Sequence, residues 1–424
     1  MFITAIAVTY NFQKMRCIMP RILRINTRTK EFKFEELGEY AGLGGRALTS
    51  RLVNKEVPAD CHALSAENKL VFAGGVLAGT TVANSGRLSV GSKSPLTGGI
   101  KESNSGGLFA HKLPKLDLLA IVLEDKPEAD APFQTLFITK DGVEFKDASG
   151  IAGMSTYPAH EKLLEEYGDK LVAGMIGPGG ELCGKASTIQ FTDPYKRPAR
   201  SAGRGGMGAV MGSKKIKAIV LDPAANEKST PANADAFKAA RKTWVDVLQG
   251  HPVTSQGLPG FGTAILVNIV NEAGALPTKN FRTGQFEAAA DISGEKIAET
   301  IEARSGKTKE GCHAGCIIQC SQQYNDKDGE YLTSGFEYET VWAFGANCLI
   351  KDIDQIAQMD RICDEKGIDT IEMGNTIAIA MEGGIIPWGD GAAAIELLNK
   401  VGTGDHLGRI IANGVDFAGG AFGV

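Results

Sequence analysis

Three cysteines recur at every fourth position, Cys312, Cys316 and Cys320, in the run Gly311-Cys-His-Ala-Gly-Cys-Ile-Ile-Gln-Cys320. Soft thiolates this close together suit an iron–sulfur cluster or zinc, because few other partners want three convergent sulfurs. Three cysteines cannot pair evenly, so a disulfide framework is a poor account of them. Two other readings stay open. The cysteines could be small buried apolar side chains, or a zinc site completed by His313, although neighbouring residues rarely both ligate one zinc. The chain has eight cysteines in 424 residues, a usage that fits a reducing, cytoplasmic setting better than a secreted scaffold. Its net charge of −5, with both signs interspersed, argues against a nucleic-acid surface or a basic membrane patch. No apolar run reaches the roughly 18 residues needed to span a bilayer.

Glycine supplies the second chemical signal. It makes up 53 residues, about 12% against a usual ~7%, and gathers in polar loops of the first half. Ala83-Asn-Ser-Gly-Arg87, the stretch 96–107 containing Asn104, and Ala202-Gly-Arg-Gly-Gly-Met-Gly-Ala209 are three such loops. Glycine lets backbone N–H groups approach an anion, and arginine adds a bidentate fork. Three loops of this kind suggest a large phosphate-bearing ligand; ordinary tight turns are the plainer alternative for any one of them. Gly203-Arg-Gly-Gly-Met-Gly208 also satisfies the dinucleotide pattern G-x-G-x-x-G. That pattern must follow a strand and open a helix. Here Tyr195-Lys-Arg-Pro-Ala-Arg200 precedes it and a strand pattern follows soon after, so a nicotinamide site is not expected.

The elements that must carry these residues divide in two. The first half reads as short strands at 22–26, 31–36, 69–73, 87–90, 116–123, 134–139, 143–145, 171–176, 187–191 and 216–221, with helices near 44–56 and 158–167. Thr27-Arg-Thr-Lys30 and Asp141-Gly142 are the hairpin turns. The polar, proline-bearing stretch 222–231 reads as a linker. Beyond it the apolar spacing turns helical, at 233–248, 263–273, 294–303, 338–343, 353–366, 371–382, 392–401 and 406–413. The expected class is α+β: a β-rich domain over 19–222, an α-helical domain over 223–424, and residues 1–18 as an extension outside the fold. Those first residues are apolar but short, with no basic leader, so a signal peptide is a weak reading.

Longer motifs carry a resemblance. Leu77-Ala-Gly-Thr-Thr-Val-Ala-Asn-Ser-Gly-Arg-Leu-Ser-Val-Gly-Ser-Lys-Ser-Pro-Leu-Thr-Gly-Gly99, Arg204-Gly-Gly-Met-Gly-Ala209, Phe336-Glu-Tyr-Glu-Thr-Val-Trp342 and Cys363-Asp-Glu-Lys-Gly-Ile-Asp-Thr370 resemble the tungsten-dependent aldehyde:ferredoxin oxidoreductase family from about residue 20 onward. The resemblance implies a tungsten (or molybdenum) ion held by two pyranopterin dithiolenes, a [4Fe–4S] cluster beside one pterin, and magnesium bridging the pterin phosphates. It implies that the β-rich domain is the base on which the pterins sit. Arg87 and Asn104 match positions near the phosphates and magnesium, and Arg200 and Ser201 match a second such pair, with serine for the common alanine. Gly203, Arg204, Gly205 and Gly206 match the glycine loop beside them. Asp364, Gly367 and Asp369 match the pterin pattern Asp-x-x-Gly-Leu-Asp/Cys, with isoleucine for leucine. Cys312, Cys316 and Cys320 match the three clustered iron–sulfur ligands, with one residue more between the first two than the best-known members have. Glu339 matches a glutamate kept near the metal, and a carboxyl in a dry pocket suits proton transfer. Helix-end capping is the plainer role for Asp364, Asp369 and Glu339.

The implied activity is oxidation of a small aldehyde to a carboxylic acid, with electrons leaving through the cluster to ferredoxin or an Fe–S electron-transfer subunit. Reduction of an acid or aromatic thioester within a larger complex, or a non-catalytic Fe–S and cofactor-binding protein, are the alternatives. In the family a third, C-terminal helical domain supplies a fourth cluster cysteine, a second pterin motif and a histidine. The chain is expected to lack it, as an incomplete member. Some dimeric members carry an interfacial iron on Glu-x-x-His; Gln358-Met-Asp-Arg361 stands there, so any homo-oligomer is expected to be without that iron.

Overall fold

The computed structural model describes residues 20–225 and 231–424. The expected 1–18 extension and residues 226–230 of the expected linker lie outside the described residues.

Asn26 starts the architecture by closing the first hairpin. Its Oδ1 accepts the N–H groups of Arg28 and Thr29, each at 2.9 Å, an Asx turn that fixes the register of β1 (Arg21–Asn26) on β2 (Phe32–Glu35). With β3 (Leu70–Gly74), β4 (Leu88–Lys93), β5 (Ile100–Ser105) and β6 (Leu118–Glu124) they make a six-stranded mixed sheet. Its order is β2-β1-β6-β3-β4-β5, and β1–β6 is its parallel pair. The β6 run Leu-Leu-Ala-Ile-Val-Leu is buried on both faces. Ala120 and Val122 pack with the helix Gly45–Glu56, while Ile121 and Leu123 face the central core. A strand covered on both sides reads as a continuous apolar run for that reason.

The second sheet has the order β11-β10-β9-β12-β7-β8. Its strands are β7 (Gln134–Ile138), β8 (Val143–Asp147), β9 (Val172–Met175), β10 (Ile189–Phe191), β11 (Arg200–Ala202) and β12 (Ile216–Leu221). One apolar core lies between the two sheets, with Phe72 on one side and Phe191 on the other. The Phe109 and Phe191 rings meet edge-on there at 5.3 Å. Asp141-Gly142 does turn β7 into β8, and Gly142 is required for packing: a Cβ there would sit 2.8 Å from the Phe32 ring.

The second half has its own core, built from helices that include Gly294–Ala303, Tyr338–Phe344, Ile353–Lys366, Thr370–Glu382 and Gly391–Asn399. It is not all helix, as the apolar spacing suggested. β13 (Lys307–Glu310), β14 (Ser321–Asn325) and β15 (Tyr331–Thr333) form a three-stranded antiparallel sheet. Their sequences are mostly polar, so no apolar alternation announces them. The expected helix over 263–273 is a 3-10 turn followed by the helix Leu266–Glu272. A last helix, Val415–Phe422, went unread because its glycines dilute the spacing.

A cleft with arginines on one wall and thiols on the other

Two strands that read as loops floor the site. β5 and β11 lie side by side and are laced by hydroxyls: Ser105 Oγ donates to the Arg200 carbonyl at 3.1 Å and Ser103 Oγ to the Arg204 carbonyl at 2.6 Å. They open onto a cleft of about 560 Å³. From the first half Arg87, Lys101, Asn104, Arg200, Ser201, Gly203 and Arg204 line it; from the second come Cys312, Cys320, Glu337, Glu339, Asp360, Asp364 and Asp369.

The cationic wall is short of partners. Arg200 is 7% exposed, its Nε and Nη2 have no hydrogen-bond acceptor, and its nearest carboxylate, Asp193, is 3.9 Å away. Ser201 Oγ is likewise buried and unpartnered. A buried guanidinium left so is costly unless an anion fills the space. Arg87 is fastened to Asn104, through Nε to the side-chain oxygen and through Nη2 to the backbone carbonyl at 3.3 Å, and its Nη1 lies 3.7 Å from Cys312 Sγ. A set of guanidinium, amide and hydroxyl groups around an open volume fits a phosphorylated ligand.

Carboxyl groups gather opposite. Gly367, in the left-handed region at φ +64°, ends the helix Ile353–Lys366 and turns the chain into Thr370–Glu382. Asp364 on the first helix accepts from Gln190 Nε2 at 3.2 Å. Asp369 caps the second, accepting the Glu372 N–H at 2.8 Å. Its other oxygen would stand 2.8 Å from any Cβ at residue 203, so glycine there is what lets the two halves meet. Burial pushes Asp369 and Asp360 up to about 6 and raises Asp364 as well, Arg200 opposing the latter two. Carboxyls with raised pKa values can both donate and accept, as a pterin ring edge requires.

Glu339 lines the cleft from the first turn of the helix Tyr338–Phe344. The sequence reading passed over its neighbour. Glu337 is the N-cap of that helix, accepts from Thr263 Oγ1 at 2.5 Å, and is pushed up to about 7 by burial against the pull of Thr263 and Arg200. Lys101 and Asp360 were also missed. The one signal for any of these was the pair Glu337-Tyr-Glu339, of which the resemblance marked the second glutamate alone.

The cysteine loop runs between β13 and β14 and docks on the first half. Gly107 N–H donates to the Cys312 carbonyl at 2.8 Å, and Asn84 grips Gly315 and Ile317, each at 3.2 Å. The donor atoms of Cys312, His313 and Cys316 lie within 4.8 Å of one another, whereas Cys320 stands outside that group and shares the cleft wall with Cys312. A multi-iron cluster is larger than one ion, so a more distant third thiolate suits it. Cys312 is the acidic thiol: hydrogen bonding from Cys316 lowers it most, with His313 and Arg200 adding. Burial pushes Cys320 up to about 12, a group that a cation would reverse. All described cysteines are free, and Cys348 and Cys363 are buried in the helical core.

Gly205, Gly206, Gly367 and Cys316 do not line the cleft. Gly205 and Gly206 adopt φ +82° and +75°, and a Cβ at Gly206 would meet the Lys185 carbonyl at 2.4 Å. Gly203–Gly208 does follow a strand, β11, and does open a helix, Met207–Ser213. β11 nevertheless runs antiparallel to β12, because β10 and β9 intervene with alternating direction. A dinucleotide βαβ unit needs parallel strands.

Comparison with known proteins decides the lineage. Residues 22–223 match the N-terminal domain of aldehyde ferredoxin oxidoreductase, and residues 239–424 match its domains 2 and 3. The chain belongs to the aldehyde ferredoxin oxidoreductase family. It is 40% identical over 367 residues to the tungsten-containing aldehyde ferredoxin oxidoreductase of Pyrococcus furiosus, and 41% over the same length to that of Pyrococcus abyssi. Each match takes in 85% of this chain and 58% of the relative, so the chain spans little more than half the length of these proteins. An aliphatic sulfonate oxidoreductase, WOR-like subunit, of P. furiosus is 25% identical over 93% of the chain. The active-site complex BamBC of benzoyl coenzyme A reductase shares the fold, with a TM-score of 0.78 at 21% identity over 95% of this chain and 63% of that one. Among the described residues no single helix is long and apolar enough to cross a membrane.

Proposed function

We propose that this member of the aldehyde ferredoxin oxidoreductase family oxidises a small aldehyde to its carboxylic acid, taking the added oxygen from water and releasing two electrons and two protons. The base, residues 19–222, holds two pyranopterins that carry tungsten or molybdenum. Arg87, Asn104, Arg200 and Ser201 would hold their phosphates and the accompanying magnesium, with Gly203 and Arg204 beside them. Asp364 and Asp369 bind the pterin ring edges. Cys312, Cys316 and Cys320, in the helical region 223–424, hold a [4Fe–4S] cluster. When bound, the metallopterin supplies the two-electron sink, and the cluster passes electrons on singly. Glu339 takes the proton that water gives up as it adds to the carbonyl carbon. A ferredoxin or an Fe–S subunit in the cytoplasm receives the electrons.

One observation carries this reading. A buried guanidinium with two unpartnered nitrogens, Arg200, lines the same cleft as Cys312 and Cys320. The supporting comparison is the 40% identity to tungsten-containing relatives.

The test is an anaerobic assay of aldehyde-dependent ferredoxin reduction with carboxylate measured as product. Glu339→Gln is expected to lower kcat by about 10²-fold or more at unchanged pterin content. A wild-type protein fully loaded with metal and pterin that forms no carboxylate contradicts the proposal.

A further inference from the structure

We propose that His313 sets the reduction potential of the cluster by donating its Nδ1–H to the sulfur of Cys312. This rests on the reading above, in which Cys312 is a cluster ligand. The two atoms are 3.2 Å apart, within range for a hydrogen bond to sulfur. The ring is 4% exposed, and its other nitrogen, Nε2, is buried with no partner at all.

That asymmetry fixes where the proton sits. A neutral imidazole has one N–H and one lone pair. With the proton on Nε2, the molecule would bury an orphan donor and aim a lone pair at a thiolate. With the proton on Nδ1, the donor meets the thiolate and only an acceptor goes unfilled, which native structures tolerate more readily.

The ring cannot turn away. A Cβ at Gly86 would sit 2.6 Å from His313 Cδ2 and 2.3 Å from His111 Nε2, so the bare glycine leaves room for both imidazoles to pack there. His111 is itself locked, its Nδ1 accepting the Gly79 N–H at 2.8 Å and its Nε2–H donating to the Ala314 carbonyl at 2.9 Å. This second ring lies 6.3 Å from His313 and pins the peptide that follows it. His313 also bridges Gly107 through the backbone. An Nδ1 aimed at its neighbour's sulfur makes a donor to a ligand; a ligand nitrogen would aim at the ion. Donation to a cysteine sulfur stabilises the more negative, reduced cluster, so it raises the potential.

The experiment is an EPR-monitored redox titration of the loaded protein, with iron and acid-labile sulfide per chain as the loading control. His313→Asn puts an amide N–H where Nδ1 stood, whereas His313→Gln puts it where Nε2 stood and His313→Leu offers none. Wild type and His313→Asn are expected to share one midpoint potential, with His313→Leu and His313→Gln shifted lower at equal iron content. Four equal potentials, or a His313→Asn value as low as that of His313→Leu, overturn the proposal. So does zinc in place of iron, with loss of the zinc in His313→Leu, because His313 is then a ligand. A wild type with no iron–sulfur signal fails earlier and separately, at the reading of Cys312 as a cluster ligand.

Discussion

Arg200 and Glu337 are single residues whose burial opposes their charged forms. Arg200 is buried beside a carboxylate too distant to hydrogen-bond it. Replacing such a cation by an apolar side chain of similar length relieves desolvation. Arg200→Met is therefore expected to stabilise the cofactor-free chain by about 1–3 kcal/mol, read as a higher urea midpoint, and to abolish pterin retention. A lower midpoint together with full pterin would contradict its role. Glu337 makes a pH prediction. Its carboxyl is raised from 4.5 to about 7 by burial, so the folded chain holds a proton there that the unfolded chain has lost. Its contribution is fully present below pH 4.5 and is lost as pH rises through 7, worth about 3–4 kcal/mol at most. In Glu337→Gln the cofactor-free chain should lose less stability than wild type between pH 5 and pH 8, read by denaturation at both. Neither residue was legible as such in the sequence: Arg200 could be named as an anion ligand, but its burial and missing partners are products of packing.

Between elements, the decisive contacts are backbone approaches that glycine permits. A Cβ on Gly106 would stand 2.6 Å from the Cys312 carbonyl, where the β5 edge receives the cysteine loop. Gly106→Ala should cost about 1–3 kcal/mol and reduce iron content, while Gly150→Ala, where nothing lies within 4 Å, should do neither. Equal denaturation midpoints and equal iron for the two variants would show that the loop docks otherwise. The strands of the first half could be read because β3, β6 and β12 are apolar runs buried on both faces. β5 and β11 could not, being polar and glycine-flanked, and they are the strands that floor the cleft. β13 and β14 hid for the same reason: Lys-Thr-Lys-Glu and Ser-Gln-Gln-Tyr-Asn gain their places from each other and from the loop between them.

For the molecule entire, the cleft draws one wall from each half of the chain, so neither half holds the site by itself. The long motifs 77–99, 204–209, 336–342 and 363–370 outlined the cleft, because residues from all four meet at its walls or in the loops beside them. They could not show which side chains face the cleft and which, like Gly206, only shape the turn behind it. The joined walls are proposed to hold a metallopterin and an iron–sulfur cluster together. The most direct measurement is the metal and pterin content of the full gene product, purified without oxygen from cells grown on tungstate and molybdate. About one tungsten or molybdenum and about four irons per chain are expected, with two pterins released on denaturation. Protein that carries zinc alone, or iron with no pterin, contradicts the proposal.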